Sequence, residues 1–473
     1  MSTTSGIWTR FANALPNGGG TGTMLQLTDG SVLAVTSDNQ TWARLHADIA
    51  GNFANGTWTL AAKMSIPRLY FGSNVLPDGR LWVIGGEYSG SPLAENDNNT
   101  SEIYDPLANI WTSTATFPQL QFGDDPTILL ASGKILCGYL LGPQTYLYDP
   151  ATDSFTSAGI KLLGDRSDEE TWVILPDGSV LSYDIFASAS STQYTAQRYI
   201  PSSDTWVSAG TLPAQLSSSA VGFELGSAML LPNGTVIYTG ANGQNAIYDI
   251  SSNSWSGAPS LPTNFGADDA PGAFLPDGHF VFAADQAGVK LFSGPTHLFD
   301  YDYTTNTLSD ITSTLPAALA TELAQTGSYV CRMMILPNGH LMLGTGQNYW
   351  DYAPQGSPQA GWEPVIQSVA KGTAGSYVIE GNRLTGINQG SSYGDDVECD
   401  TNIPLVRLLS VDPTVPVQYA ATSNWTPGVS SVGSTAQSSV QFLLPVGFKA
   451  GNYLISVVAN GIASTPVNAL LIP

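Results

Sequence analysis

A short apolar run, a turn ending in glycine and a second apolar run recur seven times along this chain. The turns end at Gly30, Gly79, Gly133, Gly178, Gly234, Gly278 and Gly339. Most read Asp-Gly or Asn-Gly, which supply the positive φ of a tight hairpin turn. Each turn therefore joins two neighbouring strands, a and b. Repetition of this kind excludes most folds at once, because each unit must bury its apolar faces against the next copy.

A second hairpin follows in five repeats. It reads IYDPLANIW (103–111), LYDPATDSF (147–155), RYIPSSDTW (198–206), IYDISSNSW (247–255) and YDYTTNTL (301–308). In each, a tyrosine stands seven residues before Trp, Phe or Leu. These are strands c and d, and four strands in roughly 45–60 residues is the pattern of a propeller blade. Trp111, Trp206 and Trp255 recur at one blade position and read as packing residues. Blade one has Trp58 but no matching tyrosine, so residues 42–53 read as an altered hairpin. Blade seven has the turn at Gly339 and a degenerate Tyr352-Ala353-Pro354 but no closing Trp. The missing piece stands at the N-terminus as Trp8 with Leu15-Pro16. The first strand is expected to complete the last blade, which removes free sheet edges. The expected propeller spans 1–360. From 361 to 473 alternating strand-like runs indicate one immunoglobulin-like β-sandwich.

The chain has 15 Lys+Arg against 38 Asp+Glu, a net charge of -23. Nucleic acid and anionic membrane surfaces are poor partners for it. No apolar run is long enough to cross a bilayer as a helix. MSTTSGIWTRF, at the start, has neither the basic nor the apolar region of a signal peptide, so the chain reads as cytoplasmic or as a mature secreted form. Six lysines among abundant Ser, Thr, Gly and Asn favour a secreted protein. Cys137, Cys331 and Cys399 are odd in number and widely spaced, so they read as buried thiols. A monomer is expected.

PRLYFGSNVLPDGRLWVIGG (67–86) resembles the first kelch motif of the galactose-oxidase-like propellers. GNRLTGINQGSSYGDDVECDTNIPLVRL (381–408) is similar to the C-terminal domain of bacterial kelch proteins of that group. The resemblance covers nearly the whole chain and implies a seven-bladed all-β propeller with an appended sandwich. It also implies copper held by Tyr and His ligands, one His coming from the sandwich, and by a Tyr cross-linked to Cys. Only His46, His279, His297 and His340 are present; none follows a Tyr and none lies in the sandwich. Copper-radical oxidation is therefore rejected. A loop of that group's C-terminal domain enters the channel; by resemblance SYGDD (392–396) would bring Tyr393, Asp395 and Asp396 to the axis, although a plain surface turn is the favoured reading.

The loops from strand d to the next strand a, and from b to c, meet at one mouth of a propeller channel. Eight to ten residues back from the turn glycines stand Asp124, Asp125, Asp168, Glu169, Glu170, Glu224, Asp268 and Asp269. Blades one, two and seven place no acid there. Glu87, Asp184, Asp285 and Asn242 stand in the b-to-c loops. Such crowding is costly, since like charges repel and hold protons. An Asp before a strand also closes turns by accepting backbone N–H bonds, but turn duty should recur in every blade.

Three functions fit an acidic mouth. Paired carboxyls supply the acid and base of glycoside hydrolysis, with Asp124, Asp125, Glu169, Glu170, Asp268 and Asp269 as catalytic candidates. Arg68, Tyr70, Asp168, Glu224, Tyr329 and Arg332 are candidates for contact with a carbohydrate or other small polar substrate. The alternatives are non-catalytic carbohydrate or protein binding, and a lactonase-like hydrolase built on a hard cation such as calcium.

Overall fold

The structure is a computed structural model describing residues 6–18, 22–389, 392–393 (backbone only) and 401–473. Seven antiparallel sheets repeat around a channel, each with four strands in the order a-b-c-d, and one of them gains a fifth. Blade one comprises Met24–Gln26, Val32–Val35, Thr41–His46 and Thr57–Lys63. In blade four the strands are Thr171–Ile174, Val180–Tyr183, Tyr194–Ile200 and Thr205–Leu212. The a strands of blades two to seven, and then of blade one, contact one another in sequence around the channel.

The tyrosine spacing has a direct structural cause. Tyr104, Tyr148, Tyr199, Tyr248 and Tyr301 lie directly opposite Trp111, Phe155, Trp206, Trp255 and Leu308. Each phenol donates to the Oδ1 of an Asn or Asp five residues on. Those acceptors are Asn109, Asp153, Asp204, Asn253 and Asn306, all with φ between 48° and 55°. Asn and Asp tolerate that conformation better than other side chains. The same Oδ1 of Asn109, Asp153 and Asp204 accepts a backbone N–H from the preceding blade, at Ala62, Ala115 and Gly159. One short side chain thus closes its own hairpin and ties two blades together.

Ring closure follows the expectation. Ile7–Arg10 pairs antiparallel with Tyr349–Ala353, and Trp8 lies opposite Tyr352. Leu45 and Trp58 face each other in the altered hairpin of blade one.

The C-terminal strands from Val365–Lys371 to Val467–Leu471 form one curled antiparallel sheet, an immunoglobulin-like sandwich. It packs on the a–b turn face of the propeller. Leu25, Leu33 and Val75 share a core with Ile379, Leu405 and Trp425. A Cβ at Gly30 would lie 2.6 Å from the Tyr419 ring, so this turn needs glycine for docking as well as for its φ of 73°.

One expectation is corrected. Ser392–Tyr393 is no surface turn: its backbone pairs with Thr171 and Trp172 on the inner edge of blade four. It is therefore the fifth strand of that sheet, inside the ring. Asp395, Asp396 and Cys399 lie outside the described residues. Cys137 and Cys331 are buried free thiols, as read from the sequence. Among the described residues no helix is long and apolar enough to cross a membrane.

Candidate functional site: an acidic cup at the channel mouth

Strand a of every blade begins at the face opposite the sandwich, and the residues just before it turn into the mouth. Tyr70, Glu169 and Asp269 occupy the same place in blades two, four and six, and their φ values are 55°, 59° and 47°. The Glu169 N–H donates to Asp124 O and the Asp269 N–H to Leu225 O, each on the neighbouring blade. These bonds hold the left-handed turns and aim the side chains inward.

Glu169, Glu224 and Asp269 open on one cavity of about 480 Å³. Each of the three places a carboxylate oxygen within 4.8 Å of the others. Glu169 also belongs to a second group of the same tightness, with Asp124 and Asp168. Burial lifts the Asp168 carboxyl to about 6, against the pull of Arg166, whose Nη2 lies 3.0 Å from Asp168 Oδ2. Tyr70 and Tyr329 line the cavity, together with Glu87 of a b-to-c loop. Leu69, Tyr88, Leu93 and Phe292 complete the wall; the last three sit in inserted b-to-c loops, where no repeat aligns them.

The structure places four proposed residues elsewhere. Glu170 is fully buried and binds the Lys161 ammonium, while its Oε2 accepts from Trp172 Nε1 at 3.0 Å. Lys161 Nζ also lies 3.2 Å from Asp165 and 3.9 Å from Asp184. Burial works to lower the Lys161 pKa, but these three acids outweigh it and keep the amine charged. The acidic trio Asp165, Glu170 and Asp184 thus already has its cation. Asp125 is fully buried, accepts from Gly123 N at 3.0 Å, and is pushed well up by that burial. Asp268 is fully buried as well. Its Oδ2 accepts from Phe292 N at 3.1 Å, and its carboxyl hydrogen-bonds Asp285, whose Oδ2 accepts from Ser328 N at 2.9 Å. Arg68 is a scaffold residue: it is fully buried, bonded to Glu102 at 3.1 Å and to the carbonyls of Gly85 and Thr100. The three acids turn into the blade while the acid next to each, Asp124, Glu169 or Asp269, faces the mouth. Arg332 is nearly buried and donates to the carbonyls of Tyr329 and Cys331, with its flank on a neighbouring cavity.

Carboxylate oxygens grouped this way suit a hard cation such as calcium, and not copper, which selects imidazole and softer donors. His279, His297 and His340 are engaged with Asp300, Asp310 and Asp351 on the blade strands. The residues described here do not fit a copper-radical centre.

No protein-family model matches the sequence, and no curated protein is significantly similar to it. Solved structures of like fold include a fungal alcohol oxidase of the AA5 family in complex with copper, at 14% identity over 97% of this chain and 100% of that one, TM-score 0.48. A streptogramin B lyase is 11% identical over 75% of this chain and 100% of that one, TM-score 0.49. A virginiamycin B lyase from Staphylococcus aureus, a catalytically inactive H270A form with quinupristin, is 10% identical over 74% of this chain and 99% of that one, TM-score 0.48. At such identities and scores, none of their chemistry transfers to this chain.

Proposed function

We propose that this protein is a carbohydrate-processing hydrolase that cleaves a glycosidic bond in the acidic cup. One observation carries the reading. Glu169, Glu224 and Asp269, from three successive blades, bring oxygens within 4.8 Å of one another in a cavity walled by Tyr70, Tyr88, Phe292 and Tyr329. Glycosidases need one protonated and one ionised carboxyl, and a separation of about 5 Å belongs to the double-displacement route with net retention. Glu169 is the nucleophile in this scheme and Asp269 the acid, with Glu224 beside both. The tyrosines stack on sugar faces. The test is a polysaccharide and oligosaccharide screen with the product anomer followed by NMR. Expected are a retained anomer and a loss of about 10²–10⁴-fold in kcat for Glu169→Gln and Asp269→Asn. Undiminished turnover in both variants, or an inverted anomer, overturns the assignment; binding without turnover leaves a carbohydrate-binding propeller.

A second reading has its own support. Three carboxylate oxygens this close also make a partial calcium shell, which would serve a lactonase-like hydrolase. Chelation followed by calcium addition tests it: lost and restored activity supports the cation, and indifference excludes it.

A further inference from the structure

The cup does not end at its aromatic wall. Across Leu69, Tyr70 and Tyr329, which line both spaces, lies a second cavity of about 220 Å³. That is the volume of about seven waters at ~30 Å³ each. Its other walls come from blades one, two and seven. These are the blades that contribute no acid to the window before strand a, and no carboxylate lines this space. Polar lining comes instead from Thr23, Thr36, Ser37 and Asn39, and the guanidinium residues Arg68 and Arg332 border the space as well, Arg68 being paired with Glu102. Asn39 is held in a left-handed turn with φ 55°. Its backbone N–H donates to Thr36 O, and its carbonyl accepts from Arg68 N at 2.7 Å. The buried Arg68–Glu102 pair thereby anchors the turn. The Asn39 carboxamide makes no hydrogen bond within the protein among the described residues. It presents one acceptor and two donors, which match the hydroxyls of a sugar.

Resting on the hydrolase reading above, we infer that this acid-free half is the binding site for the sugar unit next to the one attacked. The Tyr70–Tyr329 divide then separates two sugar units. The substrate is a chain of at least two sugar units, with the scissile bond on the acidic side and Asn39 reading the neighbour. The division of charge has a physical sense. Acids over both units would make the whole cup negative, whereas hydroxyl, amide and guanidinium groups bind a sugar ring without adding to the repulsion.

The experiment is calorimetry on full-length Glu169→Gln protein with neutral gluco-, galacto- and xylo-oligosaccharides of one, two and three units. In the series that binds, the disaccharide is expected to bind at least tenfold tighter than the monosaccharide. In the Glu169→Gln background, Asn39→Ala and Ser37→Trp, the latter filling the cavity from an exposed position, should bring the disaccharide down to the monosaccharide's affinity. Equal affinities for one and two units, or a length increment untouched by both variants, overturn the inference alone. No binding in any series removes the parent reading and this one with it.

Discussion

Glu169 holds a backbone conformation that costs a residue with a Cβ roughly 1–2 kcal/mol. Glycine would take the same turn without that cost, so the side chain is kept there for some other gain. Strained residues of this kind gather at working sites, and here the equivalent positions of three blades share the strain. Glu169→Gly is therefore expected to melt no lower than the native protein while turnover disappears. A lowered melting temperature with turnover intact would mean that the carboxylate serves only the fold. Asp268 yields a different expectation. Burial first, then the charge of Asp285, lifts its carboxyl from 3.8 to about 8. Between those values the folded state binds a proton that the unfolded state has released. The contribution is thus complete below about pH 4 and lost as pH rises through 8. Asp268→Asn cannot ionise, so its melting temperature should gain on the native protein as pH rises across that window. Parallel melting curves from pH 4 to 9 would show that the proton is not there.

At the level of strands and hairpins the blades were legible because the spacing is imposed by contact. A tyrosine must face the large apolar residue seven positions on across a four-residue turn, and the Asn or Asp in that turn bonds the phenol and, in three of the hairpins, the preceding blade as well. Such a repeat cannot drift without losing the phenol bond, and in three hairpins the bond to the preceding blade with it. The N-terminal strand could be assigned to blade seven because that blade lacked its outer edge. The acidic window was legible too, but only as a set of positions. Neighbouring residues at the start of a strand point in opposite directions, so Glu169 enters the cup while Glu170 turns inward to Lys161. Asp269 and Asp268 divide in the same way. Lys161 precedes that window by several residues and belongs to no repeat, so no pattern announced it as the partner that removes Glu170 from the cup. Tyr88 and Phe292 lie in loops of irregular length, where the periodicity gives no register. Ser392–Tyr393 was obscured for another reason: a two-residue strand added from a different part of the chain leaves no local signature.

The net charge of -23 gives the whole molecule a negative field, and the channel mouth concentrates it. That field separates the two readings of the cup by the sign of a salt effect. A cup holding only carboxylates repels an anionic chain, and the repulsion weakens as ionic strength shortens the Debye length to about 10 Å at 0.1 M. Uronate oligosaccharides should then bind several-fold better at 0.5 M salt than at 0.02 M, while neutral oligosaccharides of equal length should be indifferent. A cup filled by a divalent cation presents the opposite local charge. Uronates would then bind best at low salt, and chelator would abolish that preference. The measurement is a titration of both oligosaccharide classes at the two salt concentrations, with and without chelator. Rising uronate affinity with salt, unaffected by chelator, supports hydrolysis by bare carboxyls. Falling affinity that chelator removes transfers Glu169, Glu224 and Asp269 from acid–base work to the coordination of calcium.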